Sequence, residues 1–555
     1  MQKTHEFTPN KLKIGNDRGI PGTYLFAIIY IFASVLLFLY HQQLYFDSWS
    51  DENINVYVAN AVADGLVLYG DIPSARPPMA IFPVAALIKM GLNPLMAGRT
   101  VVFLTIVVTG LVLWFLGKKF WGEWAGLAAA LLFLLGPAAA NRTTFTGIEL
   151  VSFWCLLTVG FILLKRPWWS GLFAAMAVAT GQHSAILVGA AFVLSFFLLG
   201  KQFYRFVLPF LGLTGIIFLL VYLVGGRGFF QYLVGQHLYH VIDPVNVTKG
   251  DLGWGMKIWV QENLYLLFLI FISLAREIWG RTYQGTRAFL DYKVKWPFLN
   301  YLRDPAWVIL VLALGHLLVV FTMKAGVMLY VYPVMPLLAL VAGRGAVHLS
   351  QWRSSEKPKT GKKSKKRSRK KPVDAPAMPP VVVGLLWGCI VIFSLIGFRS
   401  ASMLAGQGHF QRYSFWPHFR LLAQRQLTTP RVASQMAEYI GQKTDRNAQE
   451  TIFGDSIIAS LVALKTGRRV AANLADLDPV WLQTGVLSRG DIVDKIEADH
   501  ATYFIIGNWH SATDTFFKDY LMHCYHPPKE FPQLPYSTVP PLFVFRHRDK
   551  RPCLP

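Results

Sequence analysis

Apolar residues run along this chain in long blocks, separated by short polar or basic segments. Blocks of about 17–22 residues match the length that a helix needs to cross a ~30 Å hydrocarbon layer. About eleven such spans are predicted, near 22–42, 98–117, 122–140, 148–164, 168–182, 184–200, 205–224, 258–275, 305–322, 327–343 and 379–398. The polar segments between them differ in charge. Lys11 and Lys13, Lys118 and Lys119, Lys165 and Arg166, Lys201 and Arg205, the Arg276–Lys295 segment and the Arg353–Lys371 run all fall on one predicted side. Basic residues concentrate in cytoplasmic loops, so that side is predicted to be cytoplasmic. No small-residue cleavage site follows the first span, which is therefore predicted to stay as an anchor. The pattern predicts a multi-pass protein of the plasma (inner) membrane.

Composition agrees with that reading. The 555 residues are 54% hydrophobic, and 54 Lys and Arg against 31 Asp and Glu leave a net charge of +23. Residues 353–371 (RSSEKPKTGKKSKKRSRKK) hold 11 basic residues and one acid, so they carry about 10 of that excess. A run this dense has no apolar surface to bury and is predicted to be a solvated, disordered loop. A basic loop between two spans already has a topological explanation, so nucleic acid is not an expected partner.

On the opposite side the sequence leaves room in three places: a first loop over 43–97, a second over 225–257, and a tail after 399. The expected organisation is a cytoplasmic N-terminus (1–21), a transmembrane core (22–343), a basic loop (344–378), a last span (379–398) and an extracytoplasmic domain (399–555). In the tail, predicted strands at TIFGD (451–455), RRVAANL (468–474), ATYFIIG (501–507) and PLFVFRH (541–547) alternate with helices at 456–467 and 489–498. That alternation predicts an α/β domain with a mostly parallel sheet. It has no GxGxxG after its first strand, and the chain has no P-loop, so nucleotide binding has no sequence support. Cys155 and Cys389 lie within spans, where a small buried residue is the plain explanation. Cys524 and Cys553 lie in the outer domain, where an oxidising compartment permits a disulfide, but spacing alone does not pair them.

The candidate chemistry gathers on the outer side. Asp51 and Glu52 open DENINVYVANAVADG, a predicted amphipathic helix lying on the membrane surface, with Ser50 placed to cap it and Gly65 to end it. Acids in a first turn complement the helix dipole by about 0.3–1 kcal/mol, so local structure alone accounts for both. The same geometry also keeps a carboxylate ionised and able to take a proton from a hydroxyl. Glu149, in NRTTFTGIELVSFW, lies at the entry to the fourth span, and an ionisable residue at that depth is a functional candidate by default. Arg76 in SARPPM, His183 in the GQHS turn and Lys324 before GVMLYVYPVMP share that face. Singly each reads as an interfacial residue, whereas together they can offset a lipid phosphate. His237 and His240 sit among aromatic residues in FFQYLVGQHLYHV, which reads as an interfacial belt or as a substrate or metal contact.

Taken in order, these segments resemble the GT-C glycosyltransferases, in particular the bacterial branch of the protein mannosyltransferase and aminoarabinose transferase superfamily. The resemblance covers roughly 45–345 and rests on Asp51-Glu52, on YGDIPSARPPM with Tyr69, Gly70 and Pro77-Pro78, on NRTTFTGIEL and on YVYPVMPLLALVAG. Gln182-His183 occupy a turn where family members often carry a Lys, and the 225–257 loop has no second Asp-Glu pair. The second departure favours a lipid, glycan or other envelope acceptor over protein O-mannosylation. The resemblance implies transfer of a sugar from a polyprenyl-phosphate donor to an envelope acceptor, with inversion, on the non-cytoplasmic face. It implies catalytic roles for Asp51 (as base), Glu52 and Glu149, and substrate contacts for Arg76, Gln182, His183, His237 and Lys324. A divalent cation is compatible with that chemistry, but no ligand cluster with clear spacing marks one. The competing readings are a lipid or sugar transporter and a membrane scaffold whose outer domain binds a partner. The acids stand at span ends and no internal repeat is visible, which weighs against transport.

Overall fold

The computed structural model describes residues 22–43, 51–136, 139, 144–182, 184–235, 259–261, 263–277, 304–322, 328–351, 428–443, 450–477, 487–507, 515–531, 542–548 and 553. The apolar blocks that fall on these residues are helical. Helix ends follow local chemistry. Helix Pro94–Trp121 starts with Asn93, whose Oδ1 accepts the Leu95 N–H at 3.1 Å, and with Pro94 in its first turn. It ends with Lys118 and Lys119 in its last turn and Gly122 at φ 101°. Helix Glu123–Leu134 then folds back against it so closely that a Cβ on Gly126 would stand 2.3 Å from the Trp114 carbonyl oxygen. Only glycine permits that approach.

Four described helices are long and apolar enough to cross a membrane: Pro94–Trp121, Ser184–Gln202, Tyr204–Gly225 and Val331–Ser350. Shorter apolar helices, among them Glu123–Leu134, Ile148–Leu163 and Pro305–Val320, fill the bundle between them. Exposed apolar side chains line its outside. Ile216, Leu219, Leu220, Leu223 and Val224 do so on Tyr204–Gly225, and Ile28, Ile31, Phe32, Val35 and Leu39 on Gly22–Gln43. Apolar faces this large need lipid to cover them. The chain is a polytopic α-helical membrane protein with a C-terminal α/β domain. The described parts of the expected spans near 258–275 and 327–343, residues 259–261, 263–275 and 328–343, are helical, whereas the expected span at 379–398 and the basic run at 353–371 lie outside the described residues.

The C-terminal sheet differs from expectation. Strands β1 (Thr451–Gly454), β2 (Ala501–Gly507), β3 (Lys529–Phe531) and β4 (Leu542–Arg546) are ordered β1-β2-β4-β3. Only β1 and β2 run parallel; β4 is antiparallel to both of its neighbours. The sheet is mixed, because a helical crossover joins β1 to β2 while β3 and β4 turn back on the edge. The strand expected at 468–474 is reduced to a single bridge, Ile452 to Val470, followed by a 3₁₀ turn at Ala471–Asn473. Cys524 and Cys553 form a disulfide with Cα atoms 5.5 Å apart, and Cys155 is a buried free thiol.

Helix Glu52–Ala63 also departs from expectation. Nine of its twelve residues are buried, so it does not lie on a membrane surface. It is sandwiched between helix Ser456–Thr466 of the C-terminal domain and helices Pro78–Lys89 and Pro94–Trp121 of the bundle. Tyr57 fixes one edge of that sandwich, accepting the Val470 N–H at 2.6 Å, and burial pushes its phenol up to about 12.

Candidate active site

Adjacent in sequence, Asp51 and Glu52 occupy opposite environments. Asp51 is the N-cap residue of helix Glu52–Ala63, yet its side chain makes no capping hydrogen bond; Ser50, expected as the cap, lies outside the described residues. Asp51 Oδ2 instead accepts from Arg76 Nη2 at 2.7 Å, in an ion pair whose carboxylate side is 44% exposed and whose guanidinium side is 23% exposed. Glu52 is fully buried. Arg99 Nη2 donates to Oε2 at 3.1 Å and Nε to Oε1 at 3.3 Å, and the Phe145 N–H donates to Oε1 at 3.0 Å. A carboxylate held in this way is satisfied and sealed from solvent. This geometry suits a structural anchor better than the catalytic role expected for Glu52.

The anchor places the other acid. Asn55, one turn after Glu52, donates through Nδ2 to the Phe145 carbonyl at 3.3 Å. Two side chains of one helix therefore grip a single residue of the Thr144–Gly147 turn. Gly147, at φ 84°, caps helix Ile148–Leu163, and Glu149 lies in its first turn. Its carboxylate accepts from Thr146 Oγ1 at 3.2 Å and is 2% exposed. Glu149 and Asp51 thus share one end of the bundle, linked through Glu52 and Phe145.

Arg76 is carried by the short loop before helix Pro78–Lys89, where Pro77 and Pro78 set the extended-to-helical transition. Its N–H donates to Ser74 Oγ at 3.1 Å, and its carbonyl accepts from the Tyr69 hydroxyl. Tyr69 is buried at φ 69°, and burial, with the Asp476 charge second, pushes its phenol up. The chain after helix Tyr204–Gly225 rests on it: a Cβ on Gly228 would stand 2.0 Å from the Tyr69 carbonyl oxygen. Phe229 meets the Tyr69 ring edge-on at 5.7 Å. The C-terminal domain reaches the same loop, where Asp476 Oδ2 accepts the Ala75 N–H at 2.8 Å.

Of the remaining expected contacts, Gln182 lies half-buried in the turn before helix Ser184–Leu199, while His183, His237, His240 and Lys324 lie outside the described residues. Among the described residues no group of three or more His, Cys, Asp or Glu is placed to hold a metal ion. Arg99 and Asp476 were not anticipated. An arginine inside the apolar run LMAGRTVVFL is itself a signal that a buried acid must face it. Asp476 carries no such mark, since its partners are about 400 residues away in sequence.

No protein-family model and no curated protein sequence matches the chain. Its structure, however, is similar to that of ArnT from Cupriavidus metallidurans bound to undecaprenyl phosphate. The TM-score is 0.58 at 12% identity, with 94% of this chain and 97% of that chain covered. It is also similar to the apo state of that protein, with a TM-score of 0.53 at 13% identity over 95% and 98% of the two chains. This chain has the GT-C fold. Nearly end-to-end coverage of both chains means that the GT-C likeness takes in the C-terminal domain as well as the bundle.

Proposed function

We propose that this protein is a membrane glycosyltransferase that moves a sugar from a polyprenyl-phosphate donor to an envelope acceptor on the non-cytoplasmic face, with Asp51 as general base. The observation that carries this reading is the Asp51–Arg76 pair: a half-exposed carboxylate 2.7 Å from a cation, at one end of a membrane bundle. In the proposed reaction the acceptor hydroxyl or amine attacks the anomeric carbon from the face opposite the phosphate. Asp51 takes its proton, the bond from the anomeric carbon to the phosphate oxygen breaks, and the electron pair leaves on the phosphate. Proton transfer to a positioned base contributes roughly 10²–10⁴-fold. A guanidinium offers donors in a planar fork, so Arg76 can hold Asp51 and meet the departing phosphate together. Glu149 would orient the sugar, Glu52 would hold the scaffold, and Gln182, His183, His237 and Lys324 are candidates for donor contacts.

The undecaprenyl phosphate bound to ArnT supports a polyprenyl carrier for this GT-C chain. The one-sided basic residues support a cytoplasmic Lys118 end, and the Cys524–Cys553 disulfide suits an oxidising compartment such as the periplasm. The proposed domain organisation is the one read from the sequence, with residues 399–555 extracytoplasmic.

The test compares wild type with Asp51→Asn, by mass spectrometry of envelope glycolipids and glycans and by transfer assays in membranes. A new glycosylated product is expected with wild type, and a loss of about 10²-fold or more with Asp51→Asn at unchanged expression. Normal transfer by Asp51→Asn removes Asp51 from the mechanism. Substrate movement across vesicles without any glycosylated product points to transport instead.

A further inference from the structure

Arg76 must hold its guanidinium in place against solvent, yet it sits in a short loop whose own residues provide only part of the restraint. Inside the loop, Ser74 Oγ accepts the Arg76 N–H at 3.1 Å and the Tyr69 hydroxyl donates to the Arg76 carbonyl. Further restraint comes from another domain. Asp476, a buried carboxylate in the segment after the 3₁₀ turn at Ala471–Asn473, accepts the Ala75 N–H at 2.8 Å and the Ser74 hydroxyl at 3.5 Å through the same oxygen. The Ser74 hydroxyl therefore accepts from Arg76 and donates to Asp476, so its orientation depends on both. Two further contacts join the domains at this interface without touching residues 74–76: Val470 N–H to Tyr57 Oη at 2.6 Å, and Asn473 Nδ2 to the Asp71 carbonyl at 3.1 Å.

We propose that Asp476 is a positioning residue for the transfer site: through Ser74 and Ala75 it fixes the backbone from which Arg76 reaches Asp51 and the donor phosphate. A domain with no group in the reaction thereby sets the geometry of its cation. Docking alone is already served by Tyr57, Asn473 and the packing of helix Ser456–Thr466, whereas a carboxylate aimed at two consecutive residues before Arg76 acts on one place. The inference rests on the donor-site reading above, and the experiment separates the two.

Undecaprenyl phosphate alone serves as the probe, with its Kd measured on the full-length protein in lipid nanodiscs. The variants are Asp476→Ala, Asp476→Asn, Arg76→Ala, the double variant Asp476→Ala/Arg76→Ala, and Tyr57→Phe as an interface control. Asp476→Ala is expected to weaken binding about tenfold in the parent and less than about twofold in the Arg76→Ala background, because residues that act through one group do not add. Asp476→Asn, which keeps an acceptor oxygen for the Ala75 N–H, should restore most of the affinity, and Tyr57→Phe should leave it within about twofold. An equal loss from Asp476→Ala in both backgrounds, or an equal loss from Tyr57→Phe, overturns the positioning role and leaves the donor site intact. An unchanged Kd in Arg76→Ala overturns the donor-site reading and this inference with it. If Asp476→Ala does not fold, Ser74→Ala tests the same link from inside the loop, with the same expected dependence on Arg76.

Discussion

The two ends of the bundle both carry buried charge, but they use it differently. Helix Pro94–Trp121 connects them: Gly98 packs beside Val56 and Phe145 at one end, and the Trp121 ring lies under the Arg344 guanidinium, 5.6 Å from its centroid, at the other. At the Arg344 end the charges close on one another. Arg344 Nη1 meets Glu277 at 3.0 Å and Asp304 at 2.9 Å, its Nε donates to His348 at 3.1 Å, and Arg276 donates to the His348 carbonyl at 2.9 Å. Three helical segments are tied together and no carboxylate in the set is left open to solvent. At the Asp51 end one pair, Glu52 with Arg99, is closed in the same way, while its neighbour Asp51 stays half-exposed. The contrast separates a staple from a candidate site: the staple closes its carboxylates on a cation away from solvent, and the candidate site leaves one charged group reachable.

The largest effect on folding is expected where closure is complete. Arg99→Leu strands the fully buried Glu52 carboxylate and should cost about 3–5 kcal/mol, read as a large fall in melting temperature. It should also reduce transfer, because Glu52 holds Phe145 and, through that turn, Glu149. Replacing both partners, Glu52→Leu with Arg99→Leu, should recover part of the stability; equal loss in the double variant would show that the pair is not what the site end depends on. At the other end Arg344→Leu leaves Glu277 and Asp304 facing each other. Those groups are less deeply buried than Glu52, so the expected cost is smaller, about 2–3 kcal/mol. The comparison breaks if Arg344→Leu changes donor Kd or the turnover of the folded fraction more than threefold, since a staple at the far end has no route to the chemistry.

The sequence made some of this visible and concealed the rest, for identifiable reasons. Spans were readable because apolar length is a local property, and helices such as Ile148–Leu163 and Ser184–Leu199 fall within two residues of the blocks that predict them. Asp51, Arg76 and Glu149 were found together because the alternation of spans puts them at one end of the bundle. That alternation left the partition between Asp51 and Glu52 undetermined, since burial of the second depends on Arg99 and on the Phe145 peptide, 93 residues away. The burial of helix Glu52–Ala63 was hidden for the same reason: Asn55 finds its partner at the Phe145 carbonyl, 90 residues away, and helix Ser456–Thr466 packs on the helix from the C-terminal domain. Strand direction in that domain failed because β-α alternation describes only the β1–β2 crossover, and the return of β3 and β4 has no signature in composition.

A partly buried carboxylate in the C-terminal domain sharpens the comparison. Among the described residues Asp455 makes no ion pair; its Oδ1 caps helix Ser456–Thr466 by accepting the Ile457 and Ile458 N–H groups at 3.1 and 3.4 Å. Burial pushes this carboxyl above its ordinary value, and the two N–H bonds only partly offset that. The folded state therefore favours the protonated form, so its contribution to stability falls as pH rises from the ordinary carboxyl value through the raised one. Asparagine caps as well as aspartate without a charge to desolvate, so Asp455→Asn should stabilise the domain at neutral pH by less than about 1 kcal/mol. That gain should vanish as pH drops below the ordinary carboxylate range. Hydrogen exchange of residues 456–466 in the full-length protein reads it locally, and destabilisation at neutral pH would mean that the charge itself is needed there.

The smallest effect belongs to an ion pair that is neither closed nor part of a site. Lys118 Nζ stands 3.3 Å from Glu123 Oε1 at the turn joining two helices, with both side chains about one-third or more exposed. Water screens such a pair, and ordering two long side chains offsets most of the attraction, so Lys118→Met should change stability by no more than about 0.5 kcal/mol. Lys118 also caps the dipole of helix Pro94–Trp121 and lies over the Trp114 ring at 4.8 Å, contacts that the methionine stem partly keeps by packing. A melting curve superimposable on the parent's places Lys118 with the exposed charges that contribute little to folding. A loss approaching that of Arg344→Leu would instead join it to the closed network through Trp121, and the staple would then extend across the whole basic end.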